Sequence, residues 1–318
     1  MILQIILLIL GLALLIKGAD WLVSGASTLA KKFNISDLTI GLTIVAFGTS
    51  APELIINGIA SFQDHQDIVF GNVIGSNNFN LFMILGLSGL IFPLSVKSST
   101  VWKEIPISFL ATLIIFFLVN DIFSPGQLIL SRSEGILLLA LFCGFLFYVY
   151  QQLGNAVATN EEPVKNTTNT ILGIYIFVGL GGLIAGGQIV VQNAIQLATT
   201  LGVSEKVIGL TIIAAGTSLP ELATSVMAAY KRNTDIAIGN IIGSNIFNLL
   251  LILGTSAVIR PIHYDLRFNT DLYLLMAGTT FLFTAMFLGQ KKKLDRWEAG
   301  ILLIVFLGYT AFLVSKEI

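Results

Sequence analysis

A stretch of 46 residues occurs twice in this chain. Residues 41–86 read GLTIVAFGTSAPELIINGIASFQDHQDIVFGNVIGSNNFNLFMILG, and residues 209–254 read GLTIIAAGTSLPELATSVMAAYKRNTDIAIGNIIGSNIFNLLLILG. The copies align without a gap, each residue having its counterpart 168 positions on, and 26 of the 46 positions are identical. Each copy sets one glutamate, Glu53 or Glu221, inside an apolar run. A duplicated membrane unit with a buried acid in each copy is how many secondary transporters build one cation site from two halves.

The rest of the chain suits a membrane. It is 55% hydrophobic and only 11% charged, with mean hydropathy +0.89. A soluble domain carries about a quarter charged residues. Apolar runs of about 18 residues or more recur along the length, the mark of transmembrane helices. The formal net charge of −1 points to no nucleic-acid partner. Cys143 is the only cysteine, which excludes a disulfide within the chain and a cysteine-based metal site. It reads as a small buried hydrophobe. The apolar first sixteen residues lack a basic segment and read as an uncleaved first helix.

The expected fold is all-α and polytopic. Ten hydrophobic segments are drawn near 2–30, 38–62, 68–92, 103–120, 132–152, 171–200, 206–230, 236–260, 271–289 and 297–315. The polar stretch 153–170 divides them into two five-helix halves, 1–152 and 171–318, and reads as a linker on the cytoplasmic side. The repeat extends faintly upstream, 17–37 aligning with 185–205 at the same offset. Five is odd, so the second half enters the membrane from the opposite side and the repeats are inverted. With the N-terminus outside, inside segments hold Lys31, Lys32, Lys97, Lys103, Lys165, Lys231, Arg232, Lys291, Lys292, Lys293 and Arg296. The outside holds Arg132, Lys206, Arg260, Arg267 and Lys316. That bias of eleven to five puts both termini outside the cell membrane.

Two motifs carry the chemistry. The first is Gly-Thr-Ser-x-Pro-Glu, Gly48 to Glu53 and Gly216 to Glu221. Proline removes a backbone donor and crowds the carbonyl four residues back, here that of Gly48 or Gly216. The helix should kink there and release carbonyl oxygens into the interior, where a cation is a fitting partner. Thr49 and Glu53 are four apart and share a face, as do Thr217 and Glu221. The second motif is Gly-Asn-x-Ile-Gly-Ser-Asn-x-Phe-Asn, at 71–80 and 239–248. Asn72, Ser76 and Asn80 form a polar stripe, repeated by Asn240, Ser244 and Asn248. Gly71 and Gly75, and likewise Gly239 and Gly243, offer small surfaces for close helix packing.

The donors are all oxygen. His65 and His263 fall in predicted outside loops. Hard cations such as Ca²⁺, Na⁺ or Mg²⁺ suit oxygen, whereas Zn²⁺ and Cu⁺ prefer nitrogen or sulfur. Two carboxylates balance one divalent ion. Left unpaired in a dry core they disfavour each other's charge, so protons compete for the site. A single intramembrane glutamate is compatible with a structural bond to a neighbouring helix; two related copies beside helix breaks favour a functional site. For Asn72 and Asn240, interhelical bonding and support of an ion site both remain open. Asp67 and Asp235 read as helix N-terminal charges. Asp20 aligns with Gln188, so no symmetric ion role is expected of it.

These residues resemble the cation/calcium antiporter superfamily, in particular its prokaryotic sodium/calcium exchanger branch. The two α-repeats of that family match Gly41–Gly86 and Gly209–Gly254. The resemblance implies ten helices in two inverted repeats and exchange of Na⁺ for Ca²⁺ by alternating access at one shared central site. By motif position it implies a Ca²⁺ site of Thr49, Glu53, Thr217 and Glu221. It implies Na⁺ sites of Ser50, Ser76 and the Ala46 carbonyl, and of Ser218, Ser244 and the Ala214 carbonyl. Asn80 and Asn248 would line the middle position. Some relatives carry Asp where Asn248 stands, so ion or water occupancy there is open. Potassium-dependent relatives tend to have Asp where Glu221 stands, which argues against potassium dependence. The proton/calcium branch, worded differently around its acids, is the alternative.

A channel with an acidic ring is a rival that saturable, counter-ion-dependent transport would exclude. An enzyme would need a nucleophile with a base, or a metal with histidines, and neither lies at the repeat core. No cofactor is expected; the implied partners are Ca²⁺, Na⁺ and the lipid bilayer.

Overall fold

A computed structural model of the chain describes residues 1–120, 128–153, 168–202, 214–288 and 292–317. Its helices are α1 (Ile2–Lys32), α2 (Asp37–Thr49), α3 (Ala51–Phe62), α4 (Gln66–Ile91), α5 (Thr100–Val119) and α6 (Arg132–Leu153). The second half follows with α7 (Asn169–Thr200), α8 (Ala214–Gly216), α9 (Leu219–Tyr230), α10 (Thr234–Ile259), α11 (Asn269–Ala285) and α12 (Arg296–Glu317). Seven of the described helices are long and apolar enough to cross a membrane, or eight with α2 and α3 taken as one bent span. The other two expected spans fall short for evident reasons. α11 has 17 residues, and the segment expected at 206–230 begins outside the described residues. Most of the expected linker, with Lys165, Lys206 and Lys291, also lies outside them.

The polar repeat helices form the centre and the apolar helices surround them. The most apolar stretch of α10 is 94% buried, against 17% for α12. This is the arrangement a bilayer selects: polar stripes turn inward and Leu, Ile and Phe face lipid. Cys143 departs from the sequence reading. It is exposed on the outer face of α6, where lipid solvates a small apolar side chain as well as a core would.

Glycine sets a close helix contact. α1 and α7 cross through Gly11, Gly18, Gly179 and Gly186. A Cβ on Gly18 would lie 2.7 Å from the Leu183 nitrogen, and one on Gly186 would lie 2.8 Å from the Leu15 nitrogen. Small residues permit this approach, and dispersion across the seam stabilises it. Gly239 and Gly243 of α10 meet α2 in the same manner, at Leu38, Gly41, Leu42 and Ala46, as expected for that motif. The corresponding partners of Gly71 and Gly75 would fall at 206–214, mostly outside the described residues.

Each glutamate-bearing helix turns sharply back into an asparagine-bearing one. His65 N–H bonds the Ala60 carbonyl at 2.9 Å, and Asn233 N–H bonds the Ala228 carbonyl at 2.8 Å. Asp64 and Arg232, the residues just before, adopt left-handed backbone with φ 65° and 61°. This is the closing bond of a Schellman turn. It sets α3 against α4 and α9 against α10, with the Glu face beside the Asn face.

Two short antiparallel ribbons mark the ends of the bundle. Leu94–Ser95 pairs with Lys293–Leu294 at one end, and Ile129–Leu130 pairs with Ile262–His263 at the other. Each ribbon joins the two halves. So do the ion pairs Lys97–Asp235 (2.5 Å), Arg260–Asp64 (2.9 Å) and Arg267–Asp67. Asp67 and Asp235 sit in the first turns of α4 and α10, as expected for charges at helix N-termini, and also hold the other half.

Candidate functional site: paired glutamates at the repeat interface

The Pro-Glu motif breaks the helix. The axis bends by 46° between α2 and α3, with Ser50 at the break and Pro52 in the first turn of α3. Ser218 and Pro220 repeat the arrangement ahead of α9. Proline suits a first turn because its missing N–H has no helical acceptor to lose there. The break lets Thr49, Ser50 and Glu53 point into the same space. On the facing helices, π-helical turns cover Phe79–Ile84 and Phe247–Ile252 and so include Asn80 and Asn248. A wider turn redirects the side chains it carries, and such turns cluster at functional sites.

The two halves are laced across their interface. Ser50 Oγ donates to Glu221 Oε1 at 2.9 Å, and Ser218 Oγ donates to Glu53 Oε1 at 3.2 Å. Each hydroxyl therefore serves the other half's carboxylate. Thr49 Oγ1 donates to Asn240 Oδ1 at 3.0 Å, and Thr217 Oγ1 donates to Asn72 Oδ1 at 3.2 Å. Asn72 and Asn240 thus bond between the repeats and hold the two threonines.

Glu53, Glu221, Ser76, Ser244, Asn80 and Asn248 are all at least 99% buried. Each keeps one oxygen without a hydrogen-bond partner: the glutamates' Oε2, the serines' Oγ and the asparagines' Oδ1. Buried polar atoms normally find partners, so six unpaired oxygens in three symmetric pairs fit an electropositive guest. Orphaned oxygen also remains elsewhere, for example at Ser88 and Glu104. Among the described residues, only the central set is matched between the repeats and contains both halves' acids. Among the described residues no three His, Cys, Asp or Glu side chains gather to hold a metal. The donors here are two carboxylates and neutral oxygens, which suits a hard cation.

Two asparagines absent from the sequence reading complete the floor. Asn80 Nδ2 donates to Asn245 Oδ1 and Asn248 Nδ2 donates to Asn77 Oδ1, both at 3.0 Å. These bonds occupy the amide nitrogens and leave the Oδ1 atoms of Asn80 and Asn248 unpartnered. Asn77 and Asn245 lie inside the repeated Gly-Ser-Asn-x-Phe-Asn motif. Their signal was identity in both copies, away from the four-residue stripe. The Ala46 carbonyl accepts from Ser50 N–H at 3.0 Å, with Thr49 Oγ1 3.3 Å away, so it is engaged within its own turn. Ala214 opens α8, one helical turn ahead of Ser218. His65 and His263 lie at one end, on the turn into α4 and in the Ile262–His263 strand, away from the glutamates.

Relatives share this architecture from end to end. The family model of the sodium/calcium exchanger protein matches residues 3–151 and 171–315. A putative antiporter CaxA of Alkalimonas amylolytica is 39% identical, covering 99% of this chain and all of its own length. The sodium/calcium exchanger MaX1 of Methanosarcina acetivorans is 33% identical over 97% of both chains. A solved structure of the sodium-calcium exchanger NCX_Mj superposes with TM-score 0.83 at 32% identity, covering 98% of each chain. The chain is a multi-pass membrane protein and belongs to the sodium/calcium exchanger family.

Proposed function

We propose that this protein exchanges Na⁺ for Ca²⁺ across the cell membrane, with both ions using one site between the two repeats. The observation that carries the reading is the crossed pair of bonds, Ser50 to Glu221 and Ser218 to Glu53, surrounded by unpartnered buried oxygens. Neither half holds a complete site, and the two acids together match the charge of one Ca²⁺.

Thr49, Glu53, Thr217 and Glu221 would hold Ca²⁺. Ca²⁺ accepts six to eight oxygens in flexible geometry. Ser50 with Ser76, and Ser218 with Ser244, would take Na⁺ on either side, helped by the Ala46 and Ala214 carbonyls. Asn80 and Asn248 line the space between. The coupling follows from electrostatics. Two bare carboxylates are costly in a low-dielectric core, so the site changes the side it opens to when loaded rather than empty. Ca²⁺ loads it with two charges and Na⁺ with one each, so sodium moving down its gradient displaces calcium. The chain carries ions rather than transforming a substrate.

The access change falls to α1 and α7, which meet along the glycine seam and carry none of the proposed ligands. The halves 1–152 and 171–318 act as inverted repeats joined by a cytoplasmic linker at 153–170. Both termini face outside, following the lysine and arginine bias. The end bearing Lys31, Lys97, Lys231 and Lys293 is then the cytoplasmic one.

Purified protein in liposomes tests the reading. Radiolabelled Ca²⁺ should accumulate when the lumen is loaded with Na⁺ and the bath contains none. Uptake driven by an outward proton gradient alone, with Na⁺ without effect, would overturn sodium coupling and favour the proton/calcium alternative.

A further inference from the structure

The two halves anchor their asparagines differently. In the second half, Asn240 Nδ2 donates to Ser225 Oγ at 2.9 Å and to the Glu221 carbonyl at 3.4 Å. Its Oδ1 meanwhile accepts the Thr49 hydroxyl. Ser225, Asn240 and Thr49 form a continuous relay, and all three are fully buried. In the first half the counterparts are Asn57, Asn72 and Thr217. Asn57 turns its Nδ2 to the Glu53 carbonyl, at 2.7 Å. Asn72 still accepts from Thr217, but its Nδ2 has no partner, and neither has Asn57 Oδ1. A donor and an acceptor are thus left unpaired at the positions where the other half has a bond.

This difference bears on the site through threonine. A hydroxyl has one proton and two lone pairs. Thr49 has three acceptors within reach of its one proton, Asn240 Oδ1 and the Val45 carbonyl at 3.0 Å each and the Ala46 carbonyl at 3.3 Å. An amide held at its nitrogen end cannot swing, so Asn240 keeps its Oδ1 on Thr49 and draws the proton away from the backbone carbonyls, leaving the hydroxyl lone pairs for a cation. Groups that orient ligands from behind change metal affinity by about 10- to 100-fold when removed. The Thr217 arm lacks the anchor, and its bond to asparagine is longer, 3.2 Å against 3.0 Å.

Resting on the cation site described above, we propose that Ser225 is a positioning residue for Ca²⁺ and that Asn57 leaves the opposite arm unanchored, making the two threonine arms unequal. Ser225 touches no ion; it acts through Asn240 on Thr49. The half with serine is the stiff arm and the half with asparagine the compliant one.

The test compares four variants of the full chain in liposomes and as purified protein. S225A should raise the Ca²⁺ concentration for half-maximal exchange about 5- to 10-fold, leaving the maximal rate within about 2-fold. S225T, which keeps a hydroxyl, should restore the wild-type value. N57S supplies the missing hydroxyl and should lower the half-maximal Ca²⁺ concentration. Thermal stabilisation of the purified protein by added Ca²⁺ reads the same order without transport: N57S strongest, then wild type, then S225A. Should S225A not fold, the comparison of N57S with wild type still decides. Equal half-maximal concentrations in S225A and wild type, or a weaker N57S, would overturn the proposal. E221Q separates this failure from failure of the site itself. If E221Q keeps full exchange, the site is misplaced; if E221Q is inactive while S225A is normal, only the relay is wrong.

Discussion

Around the two glutamates the repeats are alike, and behind them they differ. Thr49 and Thr217, Ser50 and Ser218, Glu53 and Glu221, and Asn80 and Asn248 are matched pairs with matched bonds, and Ser76 and Ser244 match in leaving their hydroxyls unpartnered. One step further out the match ends. Asn57 stands opposite Ser225, Gln63 opposite Lys231, and Asp20 opposite Gln188. Lys231 pairs with Asp20 at 2.5 Å and donates to Ser24 Oγ at 2.6 Å, so the end of α9 holds α1. No bond between Gln63 and Gln188 appears among the described residues. The oxygens around the two glutamates stay symmetric, while the supports behind them and the tie to α1 belong to one half. Built this way, the two halves present matched oxygens on unequal supports.

The sharpest way to break the comparison is at the acids. Glu53→Gln and Glu221→Gln should each abolish Ca²⁺ exchange in liposomes, since a single remaining carboxylate leaves a divalent ion half-compensated in a dry core. Full exchange in either variant would end the idea of one shared site. The next largest effect belongs to the glycine seam. Gly186→Leu puts a side chain against the Leu15 backbone and should cost about 1–3 kcal/mol of stability, read as a lower melting temperature in detergent. On the same helix Gly181 has no described neighbour within 4 Å of a new Cβ, and Gly181→Leu should melt like wild type. Matching losses would mean the seam is not where α1 and α7 meet.

The crossed hydroxyls come third. Ser50→Ala and Ser218→Ala each remove one bond to a carboxylate, and Ca²⁺ affinity should fall roughly 10-fold. The shorter bond, Ser50 to Glu221 at 2.9 Å, should matter more than Ser218 to Glu53 at 3.2 Å. Reversal of that order in a Ca²⁺ titration would refute the ranking. The smallest effect is expected at the tie to α1. Lys231→Gln removes a partly exposed ion pair of about 0.2–1 kcal/mol. It should change the forward and reverse exchange rates unequally by no more than about 5-fold, whereas Gln63→Ala should change neither. Equal effects of the two variants would mean the ends are not distinguished here.

Much of this was legible in the sequence because the constraint was written twice. The helix break at Ser50 followed from Pro52 and the glycine before it, and Ser218 repeats it. The polar stripes faced inward because no lipid-exposed alternative exists for three amides and hydroxyls on one helix. What stayed hidden depends on how side chains meet across the halves. The family resemblance paired Ser50 with Ser76, but gave no sign that Ser50 would bond the other half's glutamate. Asn77 and Asn245 escaped a reading based on four-residue spacing because the helix widens into a π-helical turn just beyond them. Asn57 and Ser225 were invisible for another reason: they differ between the copies, and a search for identity passes over such positions. The burial of Cys143 was misread because an apolar run in a membrane has two apolar places to go, the core and the lipid.

Equilibrium binding of radiolabelled Ca²⁺ to the purified protein, titrated with Na⁺, tests the shared site most directly. The account predicts a single Ca²⁺ bound per chain, displaced by Na⁺, and absent in both Glu53→Gln and Glu221→Gln. Ca²⁺ that survives either substitution, or that Na⁺ cannot displace, would contradict it.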